Sequence, residues 1–335
     1  MSAMKLFLGL CVLVHVCSAF IPLVLPIPGL YEDYFKEWQE KHGKVYSTEE
    51  ESQSRLKVFM KNVIYIDNHN KQGHSYELEV NEYADMTLDE FKDQYLMEPQ
   101  HCSATHSLKS DPPKYRDPPK AIDWRSKGAV TPVKNQGQCG SCWTFSTTGC
   151  LESHHFLKTG QLVSLSEQQL VDCAQAFNNN GCNGGLPSQA FEYIHYNGGL
   201  DSEESYPYRA HDEKCHFVPS EVSATVSNVV NITSKDEMQL YNAVGTVGPV
   251  SIAYDVSADF RFYKKGVYKS KECKTDPEHV NHAVLAVGYN TTESGEDYWI
   301  VKNSWGTKFG INGYFWIARG ENMCGLADCA SYPIV

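Results

Sequence analysis

Five prolines divide this chain. Pro99, Pro112, Pro113, Pro118 and Pro119 fall within residues 98–120 and forbid a continuous helix there. A proline ring fixes φ and supplies no N–H. The sequence changes character from one side of this segment to the other. The stretch reads as a linker, and exposed linkers are preferred sites of proteolytic nicking. Residues 20–97, before it, are charged and helix-like. Residues 121–335, after it, are rich in Gly, Cys and aromatic residues and long enough to bury a core.

The first block carries two helical patterns. Tyr31, Tyr34, Phe35 and Trp38 recur at helical spacing over 31–42. Glu51, Arg55, Phe59, Asn62, Ile66 and Asn70 follow at steps of three and four, which keeps all six near one helix face. Glu51 and Arg55 can pair across one turn. Periodicity alone makes this an amphipathic surface helix. The second block reads as helices over 143–157 and 166–174. It then reads as strands over 222–230, 250–254, 283–289, 298–302 and 313–318.

Lys5, the apolar run Leu6–Val16 and the small-residue site Cys17-Ser18-Ala19 predict a signal peptide over residues 1–19. The run is far shorter than the roughly 20 residues of a membrane span, and no later segment is apolar enough to span. Of 12 Cys, Cys11 and Cys17 belong to that segment, and in an oxidising compartment most of the others should pair. Zinc is the rival use of cysteine. However, Cys139-x-x-Cys142 lacks a second close Cys or His pair at finger spacing. No metal or other cofactor is expected. Asn231-Ile-Thr233 and Asn290-Thr-Thr292 are glycosylation sequons. The net charge of −12 leaves no basic stripe for nucleic acid.

Chemistry concentrates at Gln136-Gly137-Gln138-Cys139-Gly140-Ser141-Cys142-Trp143. Gly137 and Gly140 permit a tight loop with unusual backbone angles. A helix-like run starts directly after Cys142, and a thiol at a helix N-terminus is biased towards thiolate. The base must come from elsewhere in the chain. His282 stands at the mouth of an apolar strand, 140 residues downstream. Asn303, in Lys302-Asn303-Ser304-Trp305-Gly306, can accept from one imidazole nitrogen and fix the ring. Trp305 can shield that bond from water.

Cys139-Gly-Ser-Cys142-Trp143 is the recognised papain-type signature, so this match is recognition and not derivation. With His282 and Asn303 in the required order, the chain resembles the papain-family cysteine cathepsins. The six-residue series over 51–70 resembles the family's propeptide signature, and Asn81-x-Tyr83-x-Asp85 resembles its second propeptide motif. The resemblance implies an α+β, papain-like two-lobe fold, with a helical left lobe and a β-barrel-like right lobe. A helical inhibitory propeptide over 20–97 precedes it.

The resemblance also implies roles. Cys142 is the nucleophile, His282 its base and Asn303 the orienting residue, and Gln136 donates to the oxyanion. Gly184, Gly185 and Leu186 form a substrate-binding strand, with Trp305 beside the site. Peptides and proteins are the substrates, the propeptide is an intramolecular inhibitor, and cystatin-type inhibitors are expected partners. The destination is the lysosome by the secretory route, with secretion as the other outcome.

Glu98-Pro-Gln-His-Cys-Ser-Ala-Thr105 resembles the mini-chain that one branch of the family retains after maturation. In that branch it is disulfide-linked to the body and blocks the cleft, which makes an aminopeptidase of an endopeptidase. The implied pairs are Cys102–Cys329, Cys139–Cys182, Cys173–Cys215 and Cys273–Cys324. Cys150 is then a small buried residue. The implied division is a mini-chain over 98–105, a removed linker over 106–116 and a mature domain over 117–335. The terminal carboxylate created at Thr105 would meet the substrate's α-ammonium. His101 stands where the branch carries a sequon Asn, so the tether survives without its glycan. Two rivals remain, an unrestricted endopeptidase and an inactive binding protein on the same fold, and acyl transfer to an amine by the same residues stays open as a side activity.

Overall fold

The computed structural model describes residues 29–102, 105, 108, 110–111 and 117–335. The expected signal peptide lies outside them. Residues up to Val45 form one compact unit and residues from Tyr46 onward form another. In the first unit, α1 spans Leu30–His42 and ends at Gly43 in the left-handed conformation. Phe35 stacks on Trp38 at 5.8 Å.

The second unit opens with α2 (Glu49–Asn70), β1 (Tyr76–Leu78) and α3 (Leu88–Tyr95). β2 (Ile122–Asp123) follows, then α4 (Cys142–Thr159), α5 (Glu167–Cys173) and α6 (Pro187–Asn197). Next come β3 (Leu200–Asp201), β4 (Val222–Ala224), β5 (Asn228–Asn231), α7 (Glu237–Thr246) and β6 (Val250–Tyr254). β7 (Tyr263–Tyr268), β8 (His282–Thr291), β9 (Asp297–Lys302), β10 (Tyr314–Ala318) and β11 (Ser331–Ile334) complete it.

The sheet runs β1-β7-β10-β9-β8-β6-β11-β5, with β2 paired to β8. Its ends, β1 and β5, do not pair, so the barrel-like lobe is an open sheet and not a closed barrel. The central strand β8 is buried from His282 through Tyr289, as its unbroken apolar run predicts. α4 packs across it. Ser146 Oγ donates to Val284 O at 2.7 Å, and Ser251 Oγ of β6 donates to Ser146 O at 2.9 Å. The single strand expected over 222–230 is broken into β4 and β5, which join different sheets.

All six periodic residues of α2 are engaged. Phe59 and Ile66 are buried. Asn62 Nδ2 donates to the carbonyls of Ala84 and Met86, and Asn70 exchanges two bonds with the backbone of Leu78. The expected Glu51–Arg55 pair does not form. Arg55 instead reaches Glu90 at 2.8 Å, and the Glu51 carboxylate accepts from Ser47 N. The free N–H groups at the helix start compete for Glu51, while a long-range partner holds the guanidinium. The second motif closes the same corner. Asn81 Nδ2 donates to Arg261 O at 2.7 Å, and Tyr46 Oη donates to Asp85 at 2.9 Å. Residues 46–97 are thus a packed part of the second unit, with β1 added to the sheet edge on β7.

Truncating Phe59 removes a fully buried ring. Phe59→Ala should cost the precursor about 3–5 kcal/mol. Urea denaturation of the full chain measures this; an unchanged midpoint would mean that α2 is not seated through Phe59.

Candidate active site

Cys142 is the first residue of α4 and is fully buried. The loop before it depends on two glycines for different reasons. Gly137 has φ +60°, in the left-handed region. Gly140 has no positive φ, contrary to the expectation of unusual angles at both. A Cβ there would lie 2.3 Å from Cys182 O and 2.8 Å from Leu96 O, so close approach is what requires glycine. Cys139 is disulfide-bonded to Cys182, which pins the loop.

His282 opens β8, opposite Tyr254 of β6. The next residue reaches the nucleophile: Ala283 N donates to Cys142 Sγ at 3.3 Å. His282 Nε2 lies 2.8 Å from Asn303 Oδ1, which also accepts from Ser304 N. An oxygen acceptor fixes the proton on Nε2. Nδ1 therefore carries a lone pair, and it is buried without a hydrogen-bond partner among the described residues. Trp305 stacks on the ring at 4.6 Å. One residue before Asn303, Lys302 Nζ donates to Thr131 Oγ1 at 2.9 Å, and Thr131 Oγ1 donates to Glu152. Lys134 bridges Glu152 and Glu167 at 3.1 and 2.7 Å. This buried charged cluster anchors the strand end that carries Asn303.

Gln136 faces the same space. Ser304 Oγ donates to Gln136 Oε1 at 2.7 Å, so its Nε2 is left as the outward donor. That nitrogen donates to Cys139 O at 2.8 Å and to Tyr95 O, at the end of α3, at 3.0 Å. The chain then threads on between two walls. Met97 N donates to Asn281 O, Glu98 N to Asn183 O and Gln100 N to Val280 O, at 3.0, 3.0 and 2.8 Å. A Cβ on Gly184 would collide with Gln100 and Met97, 2.8–2.9 Å away. The aromatic rings of Tyr83 and Phe91 cover Trp305.

Occlusion sets the electrostatics. Burial pushes the Cys142 thiol up to about 12, against the pull of nearby N–H groups. Burial pushes His282 down to about 4, although the Asn303 bond favours its charged form. Burial here opposes the thiolate that a helix N-terminus favours. Low-dielectric surroundings disfavour both charged forms, and this outweighs the helix dipole.

A model of the papain family cysteine protease matches residues 118–334. The chain belongs to the papain family of cysteine peptidases. A second model, the cathepsin propeptide inhibitor domain, matches residues 35–91. Pro-cathepsin H of Mus musculus is 54% identical over 314 residues, covering 92% of each chain. Thiol protease aleurain of Arabidopsis thaliana is 54% identical over 302 residues, covering 90% of this chain and 84% of that protein. The solved procathepsin L2 proteinase from Tenebrio molitor larval midgut superposes with a TM-score of 0.84 at 40% identity. That match covers 91% of this chain and all of the other. The propeptide is thus the papain-family peptidase's own inhibitor, lying in the cleft it blocks.

The structure places the other expected residues as follows. Gly184 faces the threaded segment, whereas Gly185 packs against Trp143 and Asn179. Leu186 is buried and caps α6. The disulfides present are Cys102–Cys329, Cys139–Cys182, Cys173–Cys215 and Cys273–Cys324. Cys150 is buried and donates to Pro249 O. Thr105 is not at the nucleophile in this form. Its Oγ1 accepts from Asn231 Nδ2 on β5 at 3.0 Å and donates to Leu108 O. The linker is also less free than its prolines suggest, because Ser110 N donates to Val229 O.

Sequence reasoning missed Ser304 as the orienter of Gln136, Asn281 as a carbonyl acceptor in the cleft, and Tyr95 as the carbonyl against Gln136. Ser304 and Asn281 adjoin recognised residues, so adjacency was a signal. Nothing in the sequence marked Tyr95.

Acid works against the blocked form. A histidine held at about 4, against an ordinary 6.5, stabilises the state that buries it above pH 6.5. That stabilisation is lost as pH falls towards 4. A Cys142→Ser precursor should therefore lose resistance to urea between these values, and adding His282→Gln should flatten part of the loss. An identical pH dependence with and without His282 would reject this account.

Proposed function

We propose that this chain is the precursor of a lysosomal thiol peptidase acting mainly as an aminopeptidase, with some endopeptidase activity. Cys142 is the nucleophile. Once the cleft opens, water and the α4 N-terminus favour the thiolate, and His282 holds the proton. The thiolate adds to a peptide carbonyl, and the oxyanion lies between Gln136 Nε2 and the backbone N–H of Cys142. Losing one such donor typically removes about 2.7–4 kcal/mol of transition-state stabilisation. His282 protonates the departing amine, then draws a proton from the water that hydrolyses the acyl-enzyme. Asn303 keeps the imidazole oriented through both steps.

One observation carries the aminopeptidase reading: the Cys102–Cys329 disulfide joins the segment to the body beside the cleft. Cys102 N donates to Pro277 O, and Gln100, two residues away, already lies against Val280. Cuts after Met97 and after Thr105 would leave residues 98–105 tethered at Cys102. Three extended residues reach about 10 Å, and on this reading the Thr105 carboxylate moves from Asn231 into the cleft. There it would pair with a substrate's α-ammonium and close the cleft beyond one residue. Residues 20–97 and 106–116 would be lost.

The other reading is an unrestricted endopeptidase, in which residues 98–105 are lost along with the propeptide. Cystatin-type inhibitors are the expected partners of the open cleft. Of the two sequons, Asn290 is exposed at the end of β8, whereas the amide of Asn231 is engaged by Thr105. Asn290 is therefore the more accessible acceptor.

The test is hydrolysis of one fluorogenic dipeptide-length substrate by acid-matured protein, with its N-terminus free and then blocked. The free amine should be strongly preferred, and Cys102→Ser, which releases the segment, should erase that preference. Equal cleavage of both forms by the unaltered protein would leave an endopeptidase. Gln136→Ala should lower turnover about 100- to 1,000-fold on either substrate.

A further inference from the structure

Tyr208 touches both arms of the oxyanion site, yet the mechanism above does not use it. Its Oη lies 2.8 Å from Gln136 O and 2.5 Å from Ser141 Oγ. A tyrosine hydroxyl has one proton, and a carbonyl oxygen can only accept. The Tyr208 proton therefore goes to Gln136, and Ser141 must donate to Tyr208. The result is one directed chain, Ser141 Oγ–H to Tyr208 Oη–H to Gln136 O. Gln136 carries one oxyanion donor, and Ser141 immediately precedes Cys142, whose N–H is the other.

Ser141 stands at the N-cap of α4 but makes no side-chain capping bond. Serine is a favoured capping residue. Here its hydroxyl is spent on Tyr208 instead. Tyr208 is itself held in place: its N–H donates to Glu203 Oε1 at 2.9 Å, and its ring meets Phe145 of α4 edge-on at 4.9 Å. Burial raises its hydroxyl well above the ordinary value, so it remains a donor throughout the working range.

We infer that Tyr208 is a positioning residue that clamps the Gln136 loop to the α4 N-terminus and so sets the spacing of the two oxyanion donors. A peptide carbonyl in the ground state tolerates looser spacing than the oxyanion formed from it. The clamp therefore acts on turnover and not on substrate binding.

Tyr208→Phe deletes the hydroxyl and keeps the ring. In acid-matured full-length protein it should lower kcat about 10-fold with KM within about twofold, the scale of one hydrogen bond acting on the transition state. Inhibition by a peptide aldehyde, whose thiol adduct places an oxygen in the same site, should weaken about as much. Alkylation of Cys142 by iodoacetamide needs no oxyanion donor, and its pH profile should not move. In a Gln136→Ala background, Tyr208→Phe should add less than about twofold. Ser141→Ala combined with Tyr208→Phe should match Tyr208→Phe alone.

Unchanged kcat would overturn the inference. So would losses shared by KM or alkylation, which would mark general disruption, or full additivity with Gln136→Ala. Whichever of the two substrates is cleaved can be used, so this result is independent of the aminopeptidase reading.

Discussion

The packing of α4 across β8 is the interaction on which the site depends. It brings the first residue of a helix to the first residue of a strand 140 positions later in the chain. Ser146 and Ser251 bond helix to sheet, and a Cβ on Gly149 would meet Leu285 Cδ2 at 3.1 Å, so the approach is close. Ala283 N–H then reaches Cys142 Sγ directly. A shift of either element would break that contact. The buried Lys302–Thr131–Glu152 chain holds the neighbouring strand end, and Asn303 with it.

The propeptide and the residues directly after it fill the cleft with backbone hydrogen bonds. Tyr95 offers a carbonyl to Gln136, and Met97, Glu98 and Gln100 offer N–H groups to the carbonyls lining the cleft. Its aromatic residues cover Trp305, which stacks on His282. The chemical consequence is as important as the steric one. Removing water from the pair makes both ions costly. The blocked enzyme thus excludes substrate, and the same burial disfavours the charge on its nucleophile.

Much of this was legible in the sequence. Periodicity identified the buried face of α2, because a helix must present its apolar stripe to something. The run after His282 read as a buried strand because both its faces are covered. Gly140 was legible as a residue needing glycine, but the reason was not, since Cys182 O arrives from another part of the chain. Arg55 was misassigned to Glu51 for the same reason: a local partner can be read from spacing, and Glu90 cannot. Tyr208 carried no signal, because a tyrosine in a loop acquires meaning only from what lies opposite its hydroxyl.

The sequence by itself determined the residue types of the chemistry, their order and the helical propeptide. These follow from local rules: spacing along one element and the reactivity of a thiol beside a helix start. The tertiary structure alone decided which atoms meet. It set the protonated nitrogen of His282, the partners of the Gln136 amide, the burial that opposes charge on thiol and imidazole, and the position of Thr105 away from the nucleophile. Each depends on distance and dielectric between groups far apart in the chain, and neither quantity exists until the chain has folded.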